Sequence, residues 1–155
     1  MEVKIKGFGE VKIKYLLFDL NGTLSVGGKL KGCVVEKFKI LRDMYEIYIL
    51  TADTFGVGRE LSEKLRVNFK KVDGEREDLI KLKFLEELGP DLTVAIGNGN
   101  NDAPMLKKAT IGISVVGGEG ASLNALLNSD MVFKDICDVL DSLINPKRIV
   151  ATLRR

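Results

Sequence analysis

The pattern of apolar and polar positions divides the first part of the chain into short strands and a helix. Residues 3–6 and 11–14 alternate apolar and charged side chains on either side of a glycine-containing turn, which predicts a β-hairpin with one wet face. Residues 15–18 (YLLF) are apolar throughout, as expected of a strand that is buried on both faces. From Val34 to Tyr45 the apolar residues instead recur at helical spacing.

Strands and helices continue to alternate toward the C-terminus. The pattern predicts strands at residues 47–50, 67–72, 93–96, 111–115 and 131–133, and helices at 58–65, 75–88, 101–108, 121–127 and 136–144. Such alternation is typical of an α/β fold with three layers, in which a doubly wound, mostly parallel, Rossmann-like sheet lies between helices.

The chain is expected to form one domain. Its 155 residues contain no internal repeat and no linker long enough to divide them. Within the single domain at 1–155 we expect an N-terminal hairpin at 1–14, a small glycine-rich flap at 25–32 and a basic, solvated C-terminal tail at 146–155.

Composition narrows the classes of function. The 24 Lys and Arg residues are balanced by 22 Asp and Glu residues, and this small excess does not predict nucleic-acid binding. The apolar runs are too short to cross a membrane and the N-terminus has no signal-peptide pattern, so a cytoplasmic protein is expected. The chain has no Gln and many Lys and Glu residues, a composition that favours a thermophilic source.

The reactive side chains are also restricted. The chain has no His, which removes the usual Ser-His and Cys-His nucleophile pairs and leaves acid–base chemistry to carboxylates, Lys or Tyr. Cys33 and Cys137 lie far apart in sequence, and a buried apolar role is expected for both.

Two polar segments follow predicted buried strands. Asp19 begins the first of them (DLNGT), where it could attack phosphorus while the backbone N–H groups of Leu20, Asn21 and Gly22 hold phosphate oxygens. An ordinary Asn-Gly turn explains the same residues. In the second segment (LTAD, 50–53), Thr51 and the neighbouring Ala52 could hold a phosphate oxygen, although a helix cap is the simpler explanation.

A third segment and a helix complete the candidates. Residues 97–102 (GNGNND) combine glycines that allow close approach of a ligand with Asp102, a hard oxygen ligand suited to Mg²⁺, or they form a glycine-rich turn before a helix. Lys81 or Lys83 could neutralise a phosphate, or both could lie on a solvated helix face. Because ligands bind at the carboxyl ends of parallel strands, Asp19, Thr51 and Asn98 are expected to converge.

In their order and their placement at successive strand ends, these segments resemble the four motifs of the haloacid dehalogenase (HAD) superfamily. The closer resemblance is to the phosphorylation domain of P-type ATPases and to the small soluble P-type ATPase-like phosphatases. It is carried by residues 50–53, 97–106 and 111–121, and it covers roughly residues 15–133.

The resemblance implies a Mg²⁺-dependent phosphatase. Asp19 is then the nucleophile, Thr51 holds a phosphate oxygen, and Lys81, which fits the family's spacing better than Lys83, neutralises charge. The implied Mg²⁺ ligands are Asp19, the main-chain carbonyl of Asn21, and side chains of the fourth motif, namely Asn98 directly and Asp102 directly or through water.

Two residues depart from the family pattern. Phosphatases of this superfamily usually carry an acid–base Asp where this chain has Asn21, and loss of such help typically costs ~10²- to 10⁴-fold in rate. Asn98 replaces a second usual Asp and removes one anionic metal ligand, so weaker Mg²⁺ binding is expected. The same departures favour an alternative, a non-catalytic phosphate- or Mg²⁺-binding module that kept the fold.

The intervals between the motifs are too short for a cap domain, which leaves an open site. Such a site suits a small-molecule phosphate ester enclosed by a neighbouring subunit of a homo-oligomer, or a phosphorylated macromolecule. The basic residues at the C-terminus could instead dock a partner protein, although a solvated tail is the simpler and favoured explanation. No membrane or nucleic-acid partner is expected.

Overall fold

The computed structural model of the chain describes residues 1–52 and 56–155. Within them the strands are β1 (Glu2–Ile5), β2 (Gly9–Lys12), β3 (Tyr15–Asp19), β4 (Ser25–Val26), β5 (Lys29–Leu30), β6 (Glu46–Thr51), β7 (Asn68–Lys71), β8 (Thr93–Gly97), β9 (Ile111–Val115) and β10 (Met131–Phe133). The helices are α1 (Val34–Met44), α2 (Val57–Leu65), α3 (Glu77–Leu88), α4 (Ala103–Lys108), α5 (Leu123–Leu127), α6 (Ile136–Ile144) and α7 (Lys147–Leu153). No helix in this part of the chain has the length and apolar character needed to cross a lipid bilayer.

A parallel sheet forms the middle of the molecule. Its strand order is β10-β9-β8-β3-β6-β7, and β3 pairs in parallel with both β6 and β8. Strands β1 and β2 form a separate antiparallel hairpin, and β4 and β5 form a small second one within the predicted flap. The predicted doubly wound sheet with an N-terminal hairpin is confirmed, and no large cap domain interrupts the residues that the structure describes.

Helices cover both faces of this sheet because alternate strand residues point to opposite sides. On one face Leu16 and Phe18 of β3 belong to a core that also includes buried residues of α1, α2, α6 and α7. On the other face Leu17 packs in a second core with residues of α3, α4 and α5. Two cores on one sheet give the three layers that the sequence predicts.

The C-terminal residues form a helix, so the expectation of a solvated tail is wrong. Ile149 of α7 is fully buried in the first core, and Val150 and Leu153 pack against that core. The backbone N–H of Arg155 donates to the carbonyl of Lys6 at 2.9 Å, which ties the end of the helix to the N-terminal hairpin. The apolar residues between the basic ends have helical spacing, and they cover an apolar side of the hairpin.

The two cysteines are bonded to each other, so the expectation of two buried apolar thiols is also wrong. Cys33 and Cys137 form a disulfide with their Cα atoms 5.9 Å apart, although 104 residues separate them in sequence. Cys33 is the residue before α1, and Cys137 lies in the first turn of α6. Because α1 and α6 pack against each other, the fold brings the two side chains together.

Candidate active site

The candidate site lies at the carboxyl edge of the sheet, where three neighbouring strands end. Asp19 is the last residue of β3, Thr51 is the last residue of β6, and Asn98 directly follows β8. They border one open cavity of about 300 Å³, whose lining consists of Asp19, Asn21, Thr51, Ala52, Glu77, Lys81, Asn98, Gly99 and Asn101. The structure therefore brings together the strand-end residues that the sequence singles out. Asp53 of the second motif lies outside the described residues.

Lys81 of α3 links the two buried carboxylates of the site. Its side chain is 1% exposed, and its Nζ donates to Asp19 Oδ1 at 2.8 Å and to Asp102 Oδ1 at 2.7 Å. Lys83, two residues later on the same helix, is exposed to solvent. Of the two lysines that the sequence left as candidates, only Lys81 reaches the site.

Asp102 organises the loop behind the cavity. It is fully buried, and its Oδ2 accepts the backbone N–H groups of Asn98 and Gly99, both at 2.9 Å. The Cβ of a side chain at Gly97 would collide with the carboxyl group of Asp102, so close packing requires glycine there. Because Lys81 occupies Oδ1, both oxygens of Asp102 are engaged within the protein. This arrangement favours an indirect role at a metal over direct ligation.

Asp19 is a buried carboxylate with opposing charges around it. Burial and then the negative charge of Asp102 raise the pKa of Asp19 to about 7, although Lys81 and the hydroxyl of Thr23 oppose the rise. Burial alone would lower the pKa of Lys81, but the charges of Asp19 and Asp102 raise it, so the lysine stays protonated. Near neutral pH a substantial fraction of Asp19 is therefore ionised and able to act as a nucleophile.

The turn after β3 differs in part from the predicted phosphate cradle. Asn21 is exposed and lines the cavity, whereas Leu20 is buried beneath the turn. The backbone N–H of Gly22 donates to the carbonyl of Ser25 at 2.8 Å. The N–H of Gly22 is thus occupied by the flap, which conflicts with its predicted role in holding phosphate. Gly22 has a positive φ of 81°, and a Cβ there would meet the Asn98 side chain, so its requirement for glycine is structural.

The oxygen atoms near Asp19 fit a hard cation. The Thr23 hydroxyl lies 3.3 Å from both Asp19 Oδ2 and Asn98 Oδ1, and its single proton can satisfy only one of them at a time. Asn98 Nδ2 donates to the carbonyl of Gly120 at 3.0 Å, which identifies Oδ1 as the side-chain atom available to a ligand. No group of three or more His, Cys, Asp or Glu side chains in the described ranges is placed to hold a metal. A metal here would therefore rely on the Asp19 carboxylate together with neutral oxygens.

Two residues of the site, Thr23 and Glu77, were not predicted from the sequence. Thr23 is buried between Asp19 and Asn98, and its position four residues after Asp19 in the DLNGT segment could have indicated it. Glu77 lines the cavity, and its Oε2 accepts a hydrogen bond from Asn101 Nδ2 at 2.7 Å. The available signal was its spacing, since it precedes Lys81 by one helical turn.

Relatives of this chain include proteins of archaea. No family model matches the chain. The uncharacterized protein MJ0073 of Methanocaldococcus jannaschii is 50% identical over 91 residues, which are 54% of this chain and 98% of that protein, so the two belong to one family. The soluble P-type ATPase-like phosphatase of the same organism is 25% identical over 129 residues, which are 79% of this chain and only 47% of that protein.

Solved structures share the architecture. A HAD family hydrolase from Streptomyces avermitilis matches with a TM-score of 0.70 and 18% identity, over 85% of this chain and 84% of its own. The chain therefore has the fold of the haloacid dehalogenase (HAD) superfamily. The 3-deoxy-D-manno-octulosonate 8-phosphate phosphatase from Moraxella catarrhalis, solved with magnesium, phosphate and KDO, matches this chain with a TM-score of 0.72 and 15% identity, over 92% of this chain and 94% of that one. At these identities the structural likeness establishes the HAD fold, and the activity depends on the site.

Proposed function

We propose that this chain is a Mg²⁺-dependent phosphohydrolase that acts on a phosphate monoester through an aspartyl-phosphate at Asp19. The observation that carries the proposal is the 2.8 Å contact between Lys81 Nζ and Asp19 Oδ1 at the wall of an open polar cavity. A cation fixed beside a carboxylate nucleophile stabilises the charge of a transferring phosphoryl group. The similarity to a soluble P-type ATPase-like phosphatase supports the same activity.

The reaction proceeds in two steps. A carboxylate oxygen of Asp19 attacks phosphorus, and the ester P–O bond breaks with its electron pair leaving on the substrate oxygen. Thr51, the backbone N–H of Ala52 and Lys81 are the groups that hold the phosphoryl oxygens in this proposal, because all three residues line the cavity. Water then attacks the same phosphorus and releases inorganic phosphate, and the Asp19 carboxylate is restored.

Mg²⁺ fits the donor set of the site. Asp19, the main-chain carbonyl of Asn21 and Asn98 Oδ1 are the proposed direct ligands, and Asp102 orients the loop behind them. When bound, Mg²⁺ supplies positive charge that offsets the phosphate and the nucleophile. With one carboxylate in direct contact, affinity is expected to be lower than in a site that has two.

Hydrolysis is slow in this proposal because Asn21 and Asn98 have amide side chains where the family usually has Asp. Asn21 cannot give a proton to the leaving group or take one from water, so neither step receives the general acid–base help that an Asp at this position would supply. A second candidate function is therefore a phosphate- or Mg²⁺-binding regulatory module without turnover. The open cavity admits either a small phosphate ester, enclosed by a second subunit, or a phosphorylated macromolecule.

Hydrolysis of an aryl phosphate with Mg²⁺ tests the proposal. The wild-type protein is compared with Asp19→Asn, and with Asp43→Asn as a control on an exposed part of α1. Mg²⁺-dependent turnover that survives Asp43→Asn and disappears in Asp19→Asn supports the phosphohydrolase. Binding of a beryllium fluoride phosphate analogue without turnover of any ester supports the binding module instead.

A further inference from the structure

The described residues that line the cavity include two acidic side chains, Asp19 and Glu77. Asp102 lies behind the cavity with both oxygens engaged. Hydrolysis of an aspartyl-phosphate needs a group that takes a proton from the attacking water, and an amide such as that of Asn21 cannot do so at neutral pH. Since Asp19 carries the phosphoryl group at that moment, Glu77 is the remaining carboxylate among the described residues that line the cavity.

The helix that carries Lys81 also positions Glu77. Glu77 is the first residue of α3, and Lys81 follows at i+4, so the two side chains share one helix face. Lys81 reaches down to Asp19, while Glu77 lies one turn nearer the N-terminal end of α3. Both residues line the same cavity.

One oxygen of Glu77 is fixed and the other is available. Oε2 accepts the hydrogen bond from Asn101 Nδ2 at 2.7 Å, which holds the carboxylate in place. Glu77 and Asn101 also line a neighbouring cavity of about 310 Å³, so Glu77 stands between the site and a second space open to water. A half-buried carboxylate with this arrangement can receive a proton from a water in the site and return it to bulk solvent.

Two simpler roles for Glu77 make different predictions. An acidic residue in the first turn of a helix stabilises the helix through the macrodipole, and that role would change stability and leave the kinetics alone. A negative charge at the rim could instead repel the phosphate, and its removal would then lower KM without slowing turnover.

We propose that Glu77 is the general base for hydrolysis of the aspartyl-phosphate, in place of the acid–base residue that Asn21 does not provide. This inference rests on the proposed phosphohydrolase function. A water oxygen bonds to phosphorus as the bond between phosphorus and the Asp19 oxygen breaks. The electron pair of the broken bond returns to the Asp19 carboxylate, and the water proton passes to Glu77. Glu77 later releases that proton to solvent.

Pre-steady-state hydrolysis of p-nitrophenyl phosphate by Glu77→Gln tests this role. Nitrophenolate is a good leaving group that needs no general acid. The initial burst of nitrophenolate release therefore reports phosphorylation of Asp19, and the steady rate of release reports dephosphorylation. The glutamine keeps an oxygen acceptor for Asn101 but cannot take a proton. We expect an undiminished burst of about one per site, a steady rate lowered about 10²-fold, and accumulation of a hydroxylamine-sensitive acyl phosphate. Added formate should partly restore the steady rate of Glu77→Ala.

Glu86→Gln on the exposed face of α3 is the matched control and should behave as wild type. Wild-type steady turnover in Glu77→Gln, or a lowered KM with unchanged turnover, overturns the role of Glu77 and leaves the phosphohydrolase intact. Absence of burst and turnover in every variant, including wild type, overturns the phosphohydrolase and the role of Glu77 with it.

Discussion

Replacing Lys81 by Met removes the ammonium group that lies between Asp19 and Asp102 and keeps most of the side-chain volume. Wild-type Lys81 is 1% exposed and makes contacts of 2.8 and 2.7 Å with these carboxylates. Breaking a buried ion pair by removing one partner costs about 3–5 kcal/mol, because the remaining buried carboxylates lose the cation that compensates their charge. In a domain of this size that loss lowers the unfolding midpoint by roughly 6–20 °C.

The loss should depend on pH in a defined direction. A carboxyl group whose pKa is raised by folding contributes stability below its unfolded pKa and loses that contribution as pH rises through its folded pKa. The pKa of Asp19 is already raised to about 7, and without Lys81 nothing of equal charge opposes burial and Asp102, so it rises further. The difference between wild type and Lys81→Met is therefore largest at the alkaline end of the range between about pH 5 and pH 8 and shrinks as the pH falls.

Guanidinium unfolding in EDTA, at several pH values, measures this difference. Lys83→Met is the matched control, since it makes the same substitution two residues away at an exposed position. It should change stability by less than about 0.5 kcal/mol. Equal effects of the two substitutions, or a Lys81→Met loss that grows toward acidic pH, would refute the reasoning about the buried ion pair.

Three further predictions follow from the fold and the site. The double variant Cys33→Ser/Cys137→Ser should lose about 2–4 kcal/mol of stability in chemical unfolding, and free thiols detected in the native wild-type protein without reductant would contradict the disulfide. Ile149→Ala should cost about 2–5 kcal/mol because Ile149 is fully buried, whereas the exposed Thr152→Ala on the same helix should cost little if α7 packs as described. Asn98→Asp loses the hydrogen bond to Gly120 and should destabilise the metal-free protein by about 1–3 kcal/mol. Mg²⁺ should nevertheless raise the melting temperature of Asn98→Asp more than that of wild type or of the exposed control Asn100→Asp. An unchanged Mg²⁺ effect would argue against Asn98 as a ligand.

The strands that define the site could be predicted because their burial is nearly complete. All five residues of β8 are buried, and four of the five residues of β3, so both appear in the sequence as apolar runs. Their ends are marked by the first polar residues, and those residues are the ones that converge. Helix boundaries are less certain, as α3 begins at Glu77 two residues after its predicted start.

The site lysine could also be predicted from the sequence, because its position relative to the apolar residues of α3 places it on the buried face of the helix. Lys81 and Leu85 are the buried residues of α3, and they lie four positions apart on one face. Lys83 is displaced from that face and is exposed. Glu77 lies on the same face one turn earlier, so periodicity alone could have indicated it. The charged composition of the helix hid this periodicity, because a hydrophobicity pattern does not distinguish a buried Lys or a half-buried Glu from solvated ones.

The disulfide could not be predicted in this way, because it depends on which face of the sheet receives α6 after the last strand. The sequence pattern shows that α6 is amphipathic, but only the tertiary fold determines that it packs against α1. This packing brings Cys33 and Cys137 together. Beside them, Lys31 Nζ lies 3.3 Å from Asp135 Oδ2. These contacts fix the end of the flap that leads into α1. At the tip of the flap, by contrast, the N–H of Gly27 donates to the exposed side chain of Glu119 at 2.9 Å. The flap is therefore anchored covalently near its base and held at its tip by a solvent-accessible hydrogen bond, so opening at the tip costs the fold far less than movement of the base.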